Sequence, residues 1–162
     1  MRRLLTIGSF LAVVGVTCYV ALAGGVAQAQ QKKTGHLFLR GDTAYFLGIG
    51  KPKNCTINNV FRHGDPVGWR IEAVDPETGQ HVEPEAKLVV HISYGGKMRD
   101  LPMHWAATAA APNEQFWVAK WIVPDDAPTG IVKYTVSATD KYGRTGEYKP
   151  FDVESSQLTI VQ

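Results

Sequence analysis

Beyond residue 30, apolar side chains fall in short runs that alternate with polar ones, and the runs are separated by clusters of Gly, Pro, Asn and Asp. A period of two puts successive side chains on opposite faces of an extended strand, so each run predicts a strand with one face buried. Leu37 and Leu39 alternate first, followed by Tyr45, Phe46, Leu47 and Ile49. Val67, Trp69, Ile71 and Ala73 share a face, and Asp75-Pro76-Glu77-Thr78-Gly79 directly afterwards supplies a turn. There proline presets φ, aspartate bonds nearby backbone and glycine accepts a positive φ. Leu88, Val90, Ile92 and Tyr94 make the next apolar face, with His91 and Ser93 opposite and Gly95-Gly96 ending the run. Phe116 to Val123 is apolar at nearly every position, interrupted by Lys120. Val132, Tyr134, Val136 and Ala138 then alternate with Lys133, Thr135, Ser137 and Thr139, and Leu158 to Gln162 closes the chain.

No stretch sustains a helical period. Ala106 to Ala111 is alanine-rich but short and is followed by Pro112, which predicts a loop or a single turn. The whole pattern predicts an all-β fold of roughly seven or eight strands, arranged as a sandwich or a barrel.

The first thirty residues read differently. Arg2 and Arg3 precede an apolar run from Leu4 to about Val26, and Val26-Ala27-Gln28-Ala29 places small residues where a signal peptidase reads. This predicts a signal helix over residues 1–29, cleaved after Ala29. An uncleaved membrane anchor is the alternative, because the run is long enough to span a bilayer. Either way the remainder is delivered outside the cytoplasm, to the periplasm or beyond, and only the N-terminal segment would touch a membrane. Residues 30–62 are then an N-terminal extension with the first strands, and residues 63–162 the sandwich proper.

Export changes the charge balance. The chain has 17 basic and 15 acidic residues, so removing Arg2 and Arg3 leaves 15 against 15. A neutral domain offers no global field for nucleic acid or acidic lipid. Cleavage also removes Cys18, leaving Cys55 as a lone thiol expected to be buried, paired with another chain or bound to something.

The C-terminal half resembles bacterial immunoglobulin-like and fibronectin type III-like domains. The residues that carry the resemblance are Val123-Pro124, Ala127-Pro128-Thr129-Gly130, Tyr134-Thr135-Val136-Ser137-Ala138-Thr139-Asp140 and Gly143, with Gly64 to Val67 and Asp75 to Gly79 as early turns. The resemblance implies an immunoglobulin-like antiparallel β-sandwich in which Tyr134 returns its hydroxyl to nearby backbone, as a tyrosine corner does, while Asp140 and Gly143 shape the last hairpin. It leaves Gly35 to Phe61 without a counterpart, lacks the Cys-Trp-Cys core of antibody domains, and makes Arg144 to Ser156 long for a final hairpin.

Two chemistries can be assembled from the remaining residues. Cys55, His63, His91, Met98, Met103 and His104 are soft or borderline ligands that would suit copper. They lack the spacing of any metal motif, with no CxxC, HxH or HExxH, and a buried thiol with dispersed surface histidines is the favoured reading. Trp117 and Trp121 share one face of a strand, and with Trp105 they could form an aromatic platform for a protein or a sugar. The competing reading is that they are core.

Catalysis has little support, since the aspartates sit in turn contexts and no serine lies in a nucleophile elbow. Arg40-Gly41-Asp42 has the form of an adhesion tripeptide, but a glycine at a strand end accounts for it. The expectation is therefore a non-catalytic exported module that needs no cofactor and binds another envelope or secreted protein, as an accessory subunit of a periplasmic complex. Its contact surface is expected at Trp105, Trp117 and Trp121 or on a Lys97–Trp105 loop. A copper carrier using Cys55 and His63, and a carbohydrate-binding module, are the alternatives.

Overall fold

The computed structural model describes residues 34–48, 51–82, 84–109 and 111–162, so the expected signal helix lies outside the described residues. The described chain runs through β1 (Phe38–Tyr45), β2 (Val60–Arg62), β3 (Pro66–Val74), β4 (Lys87–Tyr94), β5 (Lys97–Pro102) and β6 (His104–Trp105). It continues through β7 (Trp117–Ile122), β8 (Gly130–Thr139), β9 (Thr145–Tyr148), one turn of 3-10 helix (Glu154–Ser156) and β10 (Leu158–Val161).

The strands form two sheets. One has the order β1-β3-β7-β6; the other runs β2-β10-β8-β4-β5, with β9 also pairing with β8. Every named pair is antiparallel except β10 with β2. This is a β-sandwich, and the period-two pattern explains it: each sheet has one apolar face, and burying both faces requires stacking them.

Trp69 lies between the layers, fully buried, with its ring edge-on to Tyr134 of the opposite sheet at 5.6 Å. Trp121 packs beside it at 6.5 Å and against Tyr94 at 5.2 Å. Offset and edge-on contacts of this kind suit the ring quadrupoles as well as removing apolar area from water.

Several elements were not legible beforehand. Lys97–Trp105 is not a loop but β5 and β6, because β5 pairs with β4 along Tyr94↔Lys97 to Val89↔Pro102. The long final segment is explained by a split edge: β9 takes the Val136–Thr139 half of β8, and β10 takes the Gly130–Val132 half of the same edge. The segment left without a counterpart supplies β1, which pairs with β3 over its whole length, and the beginning of β2. Ten strands result among the described residues, because short pieces such as β2 and β6 carry too few residues to show a period.

One end of the sandwich is held by buried charge. Arg144 bonds Asp140 at 2.8 Å and Asp75 at 3.0 Å, and all three side chains are at most 5% exposed. Asp75 follows β3 of one sheet and Asp140 follows β8 of the other, so the guanidinium ties the two sheets together. Asp140 also shapes the β8–β9 turn, its Oδ1 accepting the backbone N–H groups of Tyr142 at 2.9 Å and Arg144 at 2.8 Å. Gly143 completes that turn at φ 81°. Burial pushes the Asp140 carboxyl up, but the guanidinium and the N–H donors outweigh it and hold it below the usual carboxylate range.

Arg40-Gly41-Asp42 lies in the middle of β1, not at its end. Its charges are engaged across the sheet, Arg40 with Glu72 and Asp42 with Arg70 through two bonds of 2.8 and 2.7 Å. Gly41 is required by packing, since a Cβ there would sit 2.1 Å from the Arg70 carbonyl oxygen.

Candidate functional site

The expected aromatic platform is not on the surface. Trp117 and Trp121 are 3% and 2% exposed, and the face they share with Ala119 points into the inter-sheet core. Trp105 is half-buried on β6, edge-on to Trp117 at 5.5 Å. It lines an open groove with His81, Val82, Pro84 and Gln115. The physical reason is the register: Trp117 pairs with Ile71 and Trp121 with Val67, both core residues, so the indoles must point the same way.

The soft ligands are also dispersed. Cys55 is exposed, not buried, in the β1–β2 connection at φ 60°. His63 directs Nε2 to the Ala127 carbonyl at 2.8 Å. Met103 is buried in the core while Met98 is 81% exposed, and His104 is exposed on β6. No three His, Cys, Asp or Glu side chains converge on a possible metal position among the described residues.

His91 is the one member of that set with both ring nitrogens committed to side chains. Nδ1 lies 2.7 Å from Asp100 Oδ1 and Nε2 lies 2.8 Å from Ser137 Oγ. Three neighbouring strands provide these groups: β5, β4 and β8. All three point outward, because His91 opposes Asp100 and Thr135 in the register and Ser137 is one step diagonal. The alternation of β4 and β8 placed His91 and Ser137 on outer faces; that the faces adjoin depends on strand order, which periodicity does not encode.

The surface that stands out for contact lies at the seam between the sheets. A groove of about 360 Å³ runs between the β1–β2 connection and the β9–β10 connection, lined by Thr43, Ile57, Asn58, Tyr148, Pro150 and Phe151 among others. Ile57 is 68% exposed and Phe151 81%, so two large apolar side chains from separate loops flank one groove. Val153, 54% exposed, extends the same loop.

These walls are tied to the sandwich rather than loose. Asn59 donates from Nδ2 to the carbonyls of Ser155 at 2.9 Å and Gln157 at 3.1 Å, joining the two loops. Thr43 donates to Asn58 O at 2.6 Å, and Gln157 Nε2 to Phe151 O at 2.5 Å. Across the groove floor the Tyr148 hydroxyl donates to Gly41 O at 3.1 Å, bridging the sheets. Tyr134 lies beneath, buried and 6.4 Å from Tyr148 between ring centroids. Burial first, then the neighbouring Tyr148, pushes the Tyr134 hydroxyl far above its ordinary range, so it stays protonated. At the seam the Tyr148 hydroxyl is the one bonded to backbone among the described residues.

Sequence reasoning passed over Ile57 and Phe151, since isolated apolar residues among turn formers carry no period. No protein-family model matches the chain, and no curated protein aligns with it.

Proposed function

We propose that this chain is an exported immunoglobulin-like module that acts by protein–protein contact through the seam groove, as an accessory subunit of a periplasmic complex. The strand orders support the immunoglobulin-like reading. β1-β3-β7-β6 corresponds to the A-B-E-D sheet of such domains, and β5-β4-β8 with the split β9/β10 edge corresponds to C′-C-F-G. Trp69 of β3 meets Tyr134 of β8 across the inter-sheet space, on the two strands that a disulfide joins in antibody domains. Export is supported by the Arg2-Arg3 start, the apolar run and the Ala27-Gln28-Ala29 end of the leader.

One observation carries the contact role: Phe151 and Ile57, at 81% and 68% exposure, flank a groove whose walls are cross-bonded through Asn59. Exposed apolar side chains on a preorganised frame lose little entropy when covered, which is how an interface core gains affinity. Residues that dominate binding are large and sit centrally in such patches.

The test is site-specific photo-crosslinking in the native envelope, with the crosslinker at position 57 or 151 and, as a control, at Arg99, exposed on β5 and outside the groove. A single discrete adduct from both seam positions, absent at the control, supports the reading. It fails if the control yields the same adduct, or if Phe151→Asp leaves affinity for that partner within twofold. The expected loss is about tenfold or more, the effect of removing one hot-spot aromatic.

A further inference from the structure

We propose that Ser137 is a base-activated acyl acceptor, a site that takes an acyl group from small activated esters or thioesters. This goes beyond the contact role and does not depend on it. The inference rests on the order of the bonds: Asp100 to His91 Nδ1 at 2.7 Å, and His91 Nε2 to Ser137 Oγ at 2.8 Å. An ionised carboxylate only accepts, so Nδ1 carries the proton of the neutral ring. Nε2 is then the acceptor, and the hydrogen bond places the Ser137 proton on the path to it.

The chain of three is open to solvent. The His91 side chain is 35% exposed and Asp100 66%, and Ser137 is half-buried on a flat outer face. A carbonyl carbon can approach Oγ from solvent without entering a cavity.

The step balances within the named groups. Ser137 Oγ forms an ester bond to the acyl carbon, and the bond from that carbon to its leaving oxygen or sulfur breaks. His91 Nε2 takes the hydroxyl proton and returns it to the leaving atom. Asp100 is a positioning residue, fixing the tautomer and favouring the transient imidazolium.

The same geometry limits the outcome to modification. Ser137 sits in a strand with neighbours on both sides, Val89 and Glu147, so its backbone N–H belongs to the ladder and does not turn toward a carbonyl oxygen. Glu147 adds negative charge beside it. Without donors for the oxyanion, both formation and hydrolysis of the ester depend on the base alone, and a serine alkyl ester is much less reactive toward water than the activated ester that supplied it, so the acyl group persists.

The experiment treats the purified protein with para-nitrophenyl acetate and follows Ser137 by peptide mass mapping. Hydroxylamine removal separates the serine ester from lysine amides. Ser137 is expected to acetylate at least about a hundredfold faster than Ser93 on the same face, the gain that a positioned general base provides. His91→Gln abolishes that advantage, and matching thermal melts show that the variant is folded.

Substitution of Asp100 supplies the second readout. Asp100→Asn lowers the Ser137 rate while leaving that of Ser93 unchanged, and Asp100→Glu restores it, which a merely structural role would not do. The proposal is overturned if Ser137 and Ser93 label at equal rates, or if folded His91→Gln labels as the unaltered protein does.

Discussion

Replacing Arg144 with methionine preserves most of its volume and removes its charge, and it is the sharpest test of how the two sheets are held together. The guanidinium is 4% exposed, 2.8 Å from Asp140 and 3.0 Å from Asp75, whose side chains are 0% and 5% exposed. Without it two carboxylates remain in the low-dielectric end of the sandwich. Removing one partner of a buried ion pair costs about 3–5 kcal/mol, because the charge left behind stays desolvated. For a domain of this size each kcal/mol moves the melting temperature by about 4 °C, so a fall of about 12–20 °C is expected at neutral pH.

The dependence on pH carries the proof. In the unaltered protein the Asp140 carboxyl titrates below its unfolded value. Its contribution to stability is therefore present above the unfolded value and is lost as pH falls through the lower folded one. In Arg144→Met the Asp140 carboxylate, buried without its guanidinium, instead binds protons more readily when folded than when unfolded. Acid then destabilises the unaltered protein while relieving the variant, and the gap between them narrows from pH 7 toward about pH 4. Urea unfolding followed by fluorescence of the buried tryptophans measures both stabilities. A loss under 1 kcal/mol at neutral pH, or a loss of equal size at acid pH, would refute the buried-charge reasoning.

Further outcomes follow from the packing, the backbone and the exposure of single residues. Trp121→Ala is expected to destabilise by about 3–5 kcal/mol by opening a core cavity; Trp121→Phe should cost much less, since the indole nitrogen makes no hydrogen bond among the described residues. Equal losses in denaturant melts would show that the indole nitrogen matters after all. Gly41→Ala should cost about 1–3 kcal/mol, since its Cβ would lie 2.1 Å from a backbone oxygen of the neighbouring strand; an unchanged denaturation midpoint would mean that β1 shifts freely. Cys55→Gly should stabilise by up to about 1 kcal/mol by relieving a left-handed backbone at φ 60°. The native thiol should also react at once with a water-soluble disulfide reagent, whereas reaction only in denaturant would contradict its exposure.

What local sequence determined here is the set of strands and their faces. Trp69, Val90, Tyr134 and Val136 are buried where alternation places them, because a strand in a two-layer fold has one wet side and one dry side. The turns at Asp75 and Asp140 were legible for a similar reason: their chemistry acts within a few residues, through bonds to the backbone of Glu77 and Tyr142. Which apolar face of Phe116–Val123 becomes core was not local. Both faces are hydrophobic, and only pairing with β3 turned Trp117 and Trp121 inward. The same holds for Arg144, whose two carboxylates lie 4 and 69 residues away in sequence. The seam groove and the Asp100–His91–Ser137 chain likewise depend on strand order and register. Those are settled by the burial of the whole core at once, so no window of sequence contains them.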